Sequence, residues 1–440
     1  MTGACYLLEV ESAGRRTKVL VDCGLFQCPR VCEQRNHEPF PFNAGDIDAV
    51  IVTHAHIDHT GRLPKLVKEG FQGKIFSTSA TRDLARLMLE DSLGLMLRES
   101  EGTPLLFDKD DLRRAFEKWE GLEYHREFKV GDFTIQLRDA GHILGSAMIE
   151  FKAGGKKIVV TGDIGNPPTP LLRPPEKITD ANFLIIESTY GNRLHENRNE
   201  RRLKIERIIE DVVKKKGVLM IPAFSLERTQ ELLFELNELV ENGRIPEVPI
   251  FVDSPLAIKA TAVYKKYEHY YNKKARYIIS SGDEVFKFPR LKFTLSTEES
   301  KAINEVPAPK IIIAGSGMST GGRIVHHERR YLSDPSSTLL MIGYQAAGSR
   351  GRQLQDGVKT IRIFRDKISV RARIETIQGY SAHPDRDMLL DFVKNSVDFL
   401  EKVFVVQGEP AAALFLVQRI RDYLGIDARA PSYAEQFELR

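Results

Sequence analysis

Cysteine is scarce in this 440-residue sequence: four residues, all near the start, at Cys5, Cys23, Cys28 and Cys32. So few thiols cannot staple a chain of this length, which excludes a disulfide-built secreted scaffold and leaves a reduced, cytoplasmic protein as the expectation. No run approaches the roughly 20 apolar residues of a membrane span. The opening MTGACYLLEVESAGRR has no basic stretch followed by an apolar one, so no secretory leader is expected. There is no GxxxxGK followed by Ser or Thr, no repeat of fixed period and no low-complexity segment. Nor does one sign of charge dominate: 64 Lys and Arg face 61 Asp and Glu, and a net charge of +3 does not by itself mark a nucleic-acid binder. What is present, 42% hydrophobic and 28% charged residues, is ordinary globular composition. The length exceeds one ordinary core, so two domains are expected.

The charge is uneven along the chain. Residues 193–352 hold 27 basic and 20 acidic residues, against 37 and 41 in the remainder. A basic module beside a neutral one suits an enzyme that handles a polyanion, although a solvated surface would read the same way. The pattern of elements changes at the same place. Up to about residue 192, short apolar runs (CYLLEV, TKVLVDCG, DAVIVTH, DFTIQLRDAGH, KKIVVTGD, ANFLIIEST) predict strands, with a helix over 81–97. Beyond it, charged helices over 200–215 and 225–242 alternate with VLMIPAF, VPIFVDS, KIIIAGS and TLLMIGY, the signature of a doubly wound, mostly parallel sheet. From about residue 360 short strands return, and a helix over 411–424 closes the chain.

The strongest chemical signal is THAHIDH at 53–59, directly after the apolar DAVIV. His54, His56, Asp58 and His59 put four metal-competent side chains into six residues. Residues i and i+2 of an extended segment point the same way, so His54 and His56 can grip one ion. Beyond the turn, Asp58 and His59 can face a second ion about 3.5–4 Å away. Imidazole and carboxylate suit zinc with an open water position. His142 in DAGHILGS, Asp163 in VVTGD and His383 in YSAHPD repeat one theme, an apolar run ending in a small residue plus His or Asp. Each alone is more often a structural hydrogen bonder.

HxHxDH followed by distant His, Asp and His resembles the metallo-β-lactamase fold. LIIESTYGNRLH, IPAFSLERTQELL, SGMSTGGRIVHH, GYQAAGSRGRQL and GYSAHPD resemble its β-CASP subfamily, nucleases with a second domain inserted into the lactamase fold. The nearest likeness is to prokaryotic relatives of the RNA 3′-end-processing nuclease of the cleavage and polyadenylation machinery. The resemblance implies an α/β fold: an αββα sandwich from residues 1–192 and 353–440, with a doubly wound β-CASP domain at 193–352. It implies two zinc ions, His54, His56 and His142 on the first, Asp58, His59 and His383 on the second, and Asp163 bridging. The same donors accept manganese or iron. Asp22 in LVDCG becomes a residue orienting histidines through their free nitrogen, and Glu187 an acidic group near the scissile phosphate. Asp58, Glu187 and Gln353 are the catalytic candidates beyond metal holding. Gln353 stands where the eukaryotic relatives carry a general-acid histidine and has no useful pKa, with His326 and His327 as alternatives. Relatives also open with a strand and a Gly-rich turn before the segment matching TGACYLLE, so an edge strand is expected to be missing.

Other features carry less. Cys23, Cys28 and Cys32 lack CxxC spacing and a fourth donor, so no structural zinc is expected there. The Gly/Ser turns SGMSTGGR and AGSRGR follow apolar strands, where backbone amides can cradle phosphate. Ser316, Gly317, Ser349, Arg350 and Ser381 are the candidate phosphate or RNA contacts, with plain turn chemistry as the competing reading. YKKYEHYYNKKARY over 264–277 could stack bases, but a helix burying its tyrosines explains it as well and is preferred. The leading function is a zinc-dependent endoribonuclease acting on single-stranded RNA, with 5′ exonuclease activity left open and the basic insert clamping the substrate. The rivals are a DNA nuclease of the same fold, a small-molecule hydrolase and a metal-free scaffold in RNA processing. The family's DNA-directed branch typically has Val at the position of His383, which favours RNA. A thioesterase or lactamase has no need of the insert, and a scaffold would have lost ligands. The resemblance leaves a homodimer open and gives no role to a membrane.

Overall fold

The computed structural model describes residues 3–12, 14–27, 31–99, 104–195, 200–346 and 348–440. The chain forms two compact units. One comprises residues 1–167, 172–194 and 382–440, and the other 168–171 and 195–381.

The first unit stacks two sheets. Five strands run in the order Tyr6–Ser12, Arg15–Val21, Ala49–Ile51, Lys74–Thr78 and Trp119–Leu122. Seven run in the order Asp427–Arg429, Lys402–Val406, Phe183–Glu187, Lys156–Val160, Ala147–Ala153, Phe133–Asp139 and Phe128–Val130. Phe133–Asp139 alternates buried and half-buried residues, so one face is apolar and needs a partner layer. Val19, Val21 and Ile51 of the smaller sheet supply it, packing with Ile135, Leu137, Ile149 and Phe151 of the larger. Phe183–Glu187 is buried at every residue, because its other face is covered too. There Leu184 and Ile186 meet Leu389, Val393, Leu416 and Ile420 from the helices Arg386–Lys394 and Pro410–Leu424. The helix Ser79–Glu99 packs against the smaller sheet and buries Leu84 and Leu89. The layers are therefore helix, sheet, sheet, helix.

The second unit has one six-stranded sheet in the order Leu291–Phe293, Ile250–Val252, Lys310–Ala314, Val218–Pro222, Thr338–Ile342 and Arg373–Ile377. Every pairing in it is parallel. Val218–Pro222 is buried throughout, as expected of a parallel strand covered on both faces. The boundary expected at 352/353 is corrected by this sheet. Arg373–Ile377 pairs along its whole length with Thr338–Ile342, and Ile361, Ile363 and Ala372 enter the same apolar cluster as Val218 and Met220. Residues 353–381 thus belong to the inserted unit, although their short strands resemble the first unit's in style. In the 264–277 stretch Tyr264, Tyr267, Tyr270 and Tyr271 are buried, and only Tyr277 is largely exposed. The structure therefore gives the core reading and not a stacking platform. Among the described residues no helix is long and apolar enough to cross a membrane.

Candidate metal centre

The metal-competent residues of the first unit lie at strand C-terminal ends, where α/β sheets place ligand sites. Asp22 follows Arg15–Val21, His54 and His56 follow Ala49–Ile51, His142 follows Phe133–Asp139, and Asp163 follows Lys156–Val160. Glu187 ends its own strand, and His383 precedes the helix Arg386–Lys394. Short-range sequence logic places the loop. Ile57–Thr60 is a single helical turn that carries Asp58 and His59 past the extended His54–His56 segment.

The side chains converge. His54 Nε2 lies 3.1 Å from His56 Nδ1, and His142 Nε2 lies 3.3 Å from the same atom. Asp163 Oδ2 is 3.4 Å from His54 Nε2 and 3.6 Å from His142 Nε2, while Oδ1 is 3.4 Å from His59 Nε2. One ligand atom from each of His54, His56, His142 and Asp163 falls within 4.8 Å of the others. Asp163, Glu187 and His383 form a second such group. His383 and Asp163 are thus neighbours although 220 positions apart in the sequence.

Burial sets the protonation of this cluster. It pulls His54 and His142 well below the usual histidine value and His56 down to about 4. Neutral imidazoles are the form that binds metal. Burial also opposes charge on His59, but the Asp163 and Asp22 carboxylates outweigh it and raise that ring well above the usual value. Burial would raise Asp163 as well, yet His59 and His54 hold it well below the carboxylate range.

Two carboxylates fix ring orientation from behind. Asp22, fully buried, accepts from Thr53 N (2.7 Å) and Thr53 Oγ1 (2.8 Å) and sits 2.7 Å from His59 Nδ1. That contact turns His59 Nε2 towards Asp163. Glu187 plays the same part for His383, with both its oxygens 3.1 Å from His383 Nδ1. The pairing raises His383 to about 9 against the opposing effect of burial. The expectation that Glu187 faces a scissile phosphate is corrected here. The carboxylate is fully buried and also accepts from Ile164 N and Thr189 N, which leaves it no open face.

The donor set fits a divalent ion on a feature of this structure. Asp163 Oδ1 and His142 Nδ1 are buried without a hydrogen-bond partner, and lone pairs from three imidazoles meet a carboxylate in one small space. Such a gathering of acceptors is costly unless something positive fills it.

Not every candidate joins the cluster. Asp58 and His59 belong to neither convergent group. Gln353 sits exposed on the helix Arg350–Gln355 of the inserted unit. There it lines a cavity of about 400 Å³ with Thr320, Gly348, Arg350, Ile361 and Arg362. Ser316 Oγ accepts from Thr320 N and Gly321 N, Gly317 O accepts from Gln345 Nε2, and Ser349 caps its helix by accepting from Arg352 N. Arg350 donates to Ser319 O, and Ser381 is buried. These contacts are turn chemistry, although Arg350 and Arg362 leave the cavity basic. His327 is buried on Asp253 and His326 lies against the Phe364 ring, so neither presents itself as a free acid. Cys5 and Cys23 are unpaired thiols. Cys28 lies outside the described residues, as does the Cys32 side chain.

One site residue was passed over in the sequence. Gln407, in VVQGE, places Nε2 3.1 Å from Asp58 Oδ2 and 3.2 Å from His59 Nε2. The signal was available, since EKVFVV is an apolar run ending at a polar residue and a glycine, as at His142 and Asp163. Attention to His and Asp alone missed it.

Comparison with known proteins agrees with this geometry. The chain matches the family models of the metallo-beta-lactamase superfamily over residues 1–209, the Beta-Casp domain over 229–354 and the Zn-dependent metallo-hydrolase RNA specificity domain over 367–431. It is 36% identical to Ribonuclease TTHA0252 of Thermus thermophilus, covering 94% of this chain and 92% of that protein. It is 33% identical to an RNase J-like protein of Methanocaldococcus jannaschii (96% and 94% covered) and 31% identical to the transcription termination factor FttA of Methanosarcina mazei (99% and 69% covered). A solved structure of a protein of unknown function from Enterococcus faecalis V583 shares the fold, with a TM-score of 0.58 at 11% identity over 100% of this chain and 97% of that one.

Proposed function

From the premise that the chain belongs to the β-CASP family of metallo-β-lactamase-fold hydrolases, metal-dependent ribonucleases among them, we propose that it is a zinc-dependent endoribonuclease cutting single-stranded RNA. The observation that carries the reading is the convergence of His54, His56, His142 and Asp163 within 4.8 Å. Two bound zinc ions would supply Lewis acidity towards the phosphodiester and a nucleophile at neutral pH. His54, His56 and His142 hold the first ion, Asp58, His59 and His383 the second, and Asp163 both. Asp22 and Glu187 keep His59 and His383 turned to the centre by accepting from their Nδ1 atoms, which preserves Nε2 as the ligating atom. Thr53 keeps Asp22 in place through its backbone N–H and its hydroxyl. Arg350 and Arg362 give the inserted unit a basic cavity for a backbone phosphate.

His383 favours RNA over DNA, and no departure from the ligand set favours a scaffold. The reading places the protein in the cytoplasm and in RNA processing or decay. The test is incubation of the full chain with a labelled single-stranded RNA and its DNA counterpart, with and without chelator. The expected result is cleavage of the RNA alone, abolished by chelator and restored by zinc. Equal cleavage of the DNA, or RNA cleavage that survives chelation, overturns it.

A further inference from the structure

Gln407 follows the strand Lys402–Val406 and holds a left-handed backbone, φ 52°. The segment around it is pressed against residues 188 and 189. Ser188 Oγ donates to Val406 O at 2.8 Å and Thr189 Oγ1 to Gln407 O at 3.2 Å. A Cβ on Gly408 would come within 2.3 Å of Ser188 Oγ, so only glycine allows this approach. With its backbone fixed on that side, the Gln407 side chain enters the 53–59 loop. Its amide donates to Asp58 Oδ2 at 3.1 Å and abuts His59 Nε2 at 3.2 Å.

Those two atoms are the ones a second ion needs. An ion bonds carboxylate oxygen and imidazole nitrogen at about 2 Å, so it must take from the amide the lone pair on Asp58 and must reach the nitrogen the amide lies against. No such occupant stands among the donors of the first ion, which already converge within 4.8 Å. Asp58 and His59 are in neither convergent group. The two halves of the centre are therefore unequal before any ion arrives.

We propose that Gln407 competes with the second metal ion for Asp58 and His59, so that the ions bind in order, tightly at His54, His56, His142 and Asp163 and more weakly on the Asp58–His59 side. The proposal rests on the two-ion reading given above and deepens it. A neutral amide is suited to this part, because it can hold a carboxylate by a hydrogen bond and still be displaced by a divalent charge.

The test is titration of the metal-stripped full chain with zinc, followed by heat and by competition with a chromophoric chelator. The wild type is expected to show two steps, the first at least about tenfold tighter. Gln407→Ala removes the amide, and Gln407→Leu removes it while keeping bulk. In both, the second step is expected to tighten about tenfold, the usual weight of a hydrogen bond to a charged group, with the first step unchanged and circular dichroism unaltered. A second step that weakens or stays the same in both variants overturns the proposal, as do two indistinguishable steps in the wild type. A wild type that takes up zinc in two such steps yet cuts no RNA contradicts the proposed function and leaves the role of Gln407 standing. A wild type that takes up no zinc overturns both.

Discussion

His59 with Asp22 and His327 with Asp253 are both buried imidazole–carboxylate pairs at 2.7 Å, and each aspartate stands one residue beyond a strand. In the inserted unit, Asp253 is ringed by donors. Thr294 Oγ1 and Arg323 Nη1 reach Oδ1, and Ser300 Oγ and His327 Nε2 reach Oδ2. In the first unit, Asp22 is satisfied in the same way, but the imidazole it holds faces Asp163, which gathers further imidazoles rather than hydroxyls and guanidinium groups. An acid ringed by donors closes on itself and ties loops together. Acceptors gathered around a small space invite a cation. The contrast shows that a histidine beside a carboxylate is not itself a metal site, and that the occupants of the remaining lone pairs decide.

The sharpest way to break the comparison is to empty both centres. Asp163→Ala should reduce RNA cleavage on the order of 10³-fold or more, since it removes the group shared by both ions. Metal content should fall with it while circular dichroism stays native. Retention of near wild-type turnover with normal metal content would refute the assignment. Asp253→Ala should act on stability instead. It leaves Arg323 and His327 without their counter-charge and should cost about 3–5 kcal/mol in denaturant unfolding, with metal bound per folded molecule unchanged.

Acid should expose the same difference. Burial works against the Asp253 charge, but its donors, His327 first, hold the carboxyl down at about 2. Its stabilising effect is therefore complete above the unfolded value near 4 and is lost as pH falls from there towards 2. Asp253→Asn should remove that part of the acid transition.

Glu328 sharpens the contrast from the other side. It is buried with neither oxygen in a hydrogen bond, and burial pushes it up to about 7 despite Ser319 and Arg350. The folded chain keeps a proton that the unfolded chain releases above about 4.5, so stability declines as pH rises through 7. Glu328→Gln should therefore gain about 2–3 kcal/mol at pH 8 and little at pH 4, read by unfolding at the two values. The smallest effect is expected at Gln353. Gln353→Ala should lower cleavage no more than about tenfold, the weight of one hydrogen bond, without altering the pH–rate profile. A thousandfold loss would show that the exposed amide does more than position a phosphate.

Much of the centre was legible because its chemistry is dense and local. THAHIDH concentrates four ligand types after a buried strand, and a strand end is the same sequence signal wherever it recurs, as at His142 and Asp163. What was not legible depended on tertiary contacts. Arg373–Ile377 looks like any short strand, and only its pairing with Thr338–Ile342 assigns it to the inserted sheet. Glu187 reads as an exposed strand-end acid, yet the fold buries it against His383. Gln407 was hidden by its residue type, since an amide carries no charge and no metal-ligand signature.

Anomalous scattering at the zinc edge from zinc-loaded crystals tests the central claim most directly. The account predicts the strongest peak at His54, His56, His142 and Asp163, and none at Asp253 and His327. A strongest peak at the Asp253–His327 pair, or no peak among the three histidines, would contradict it.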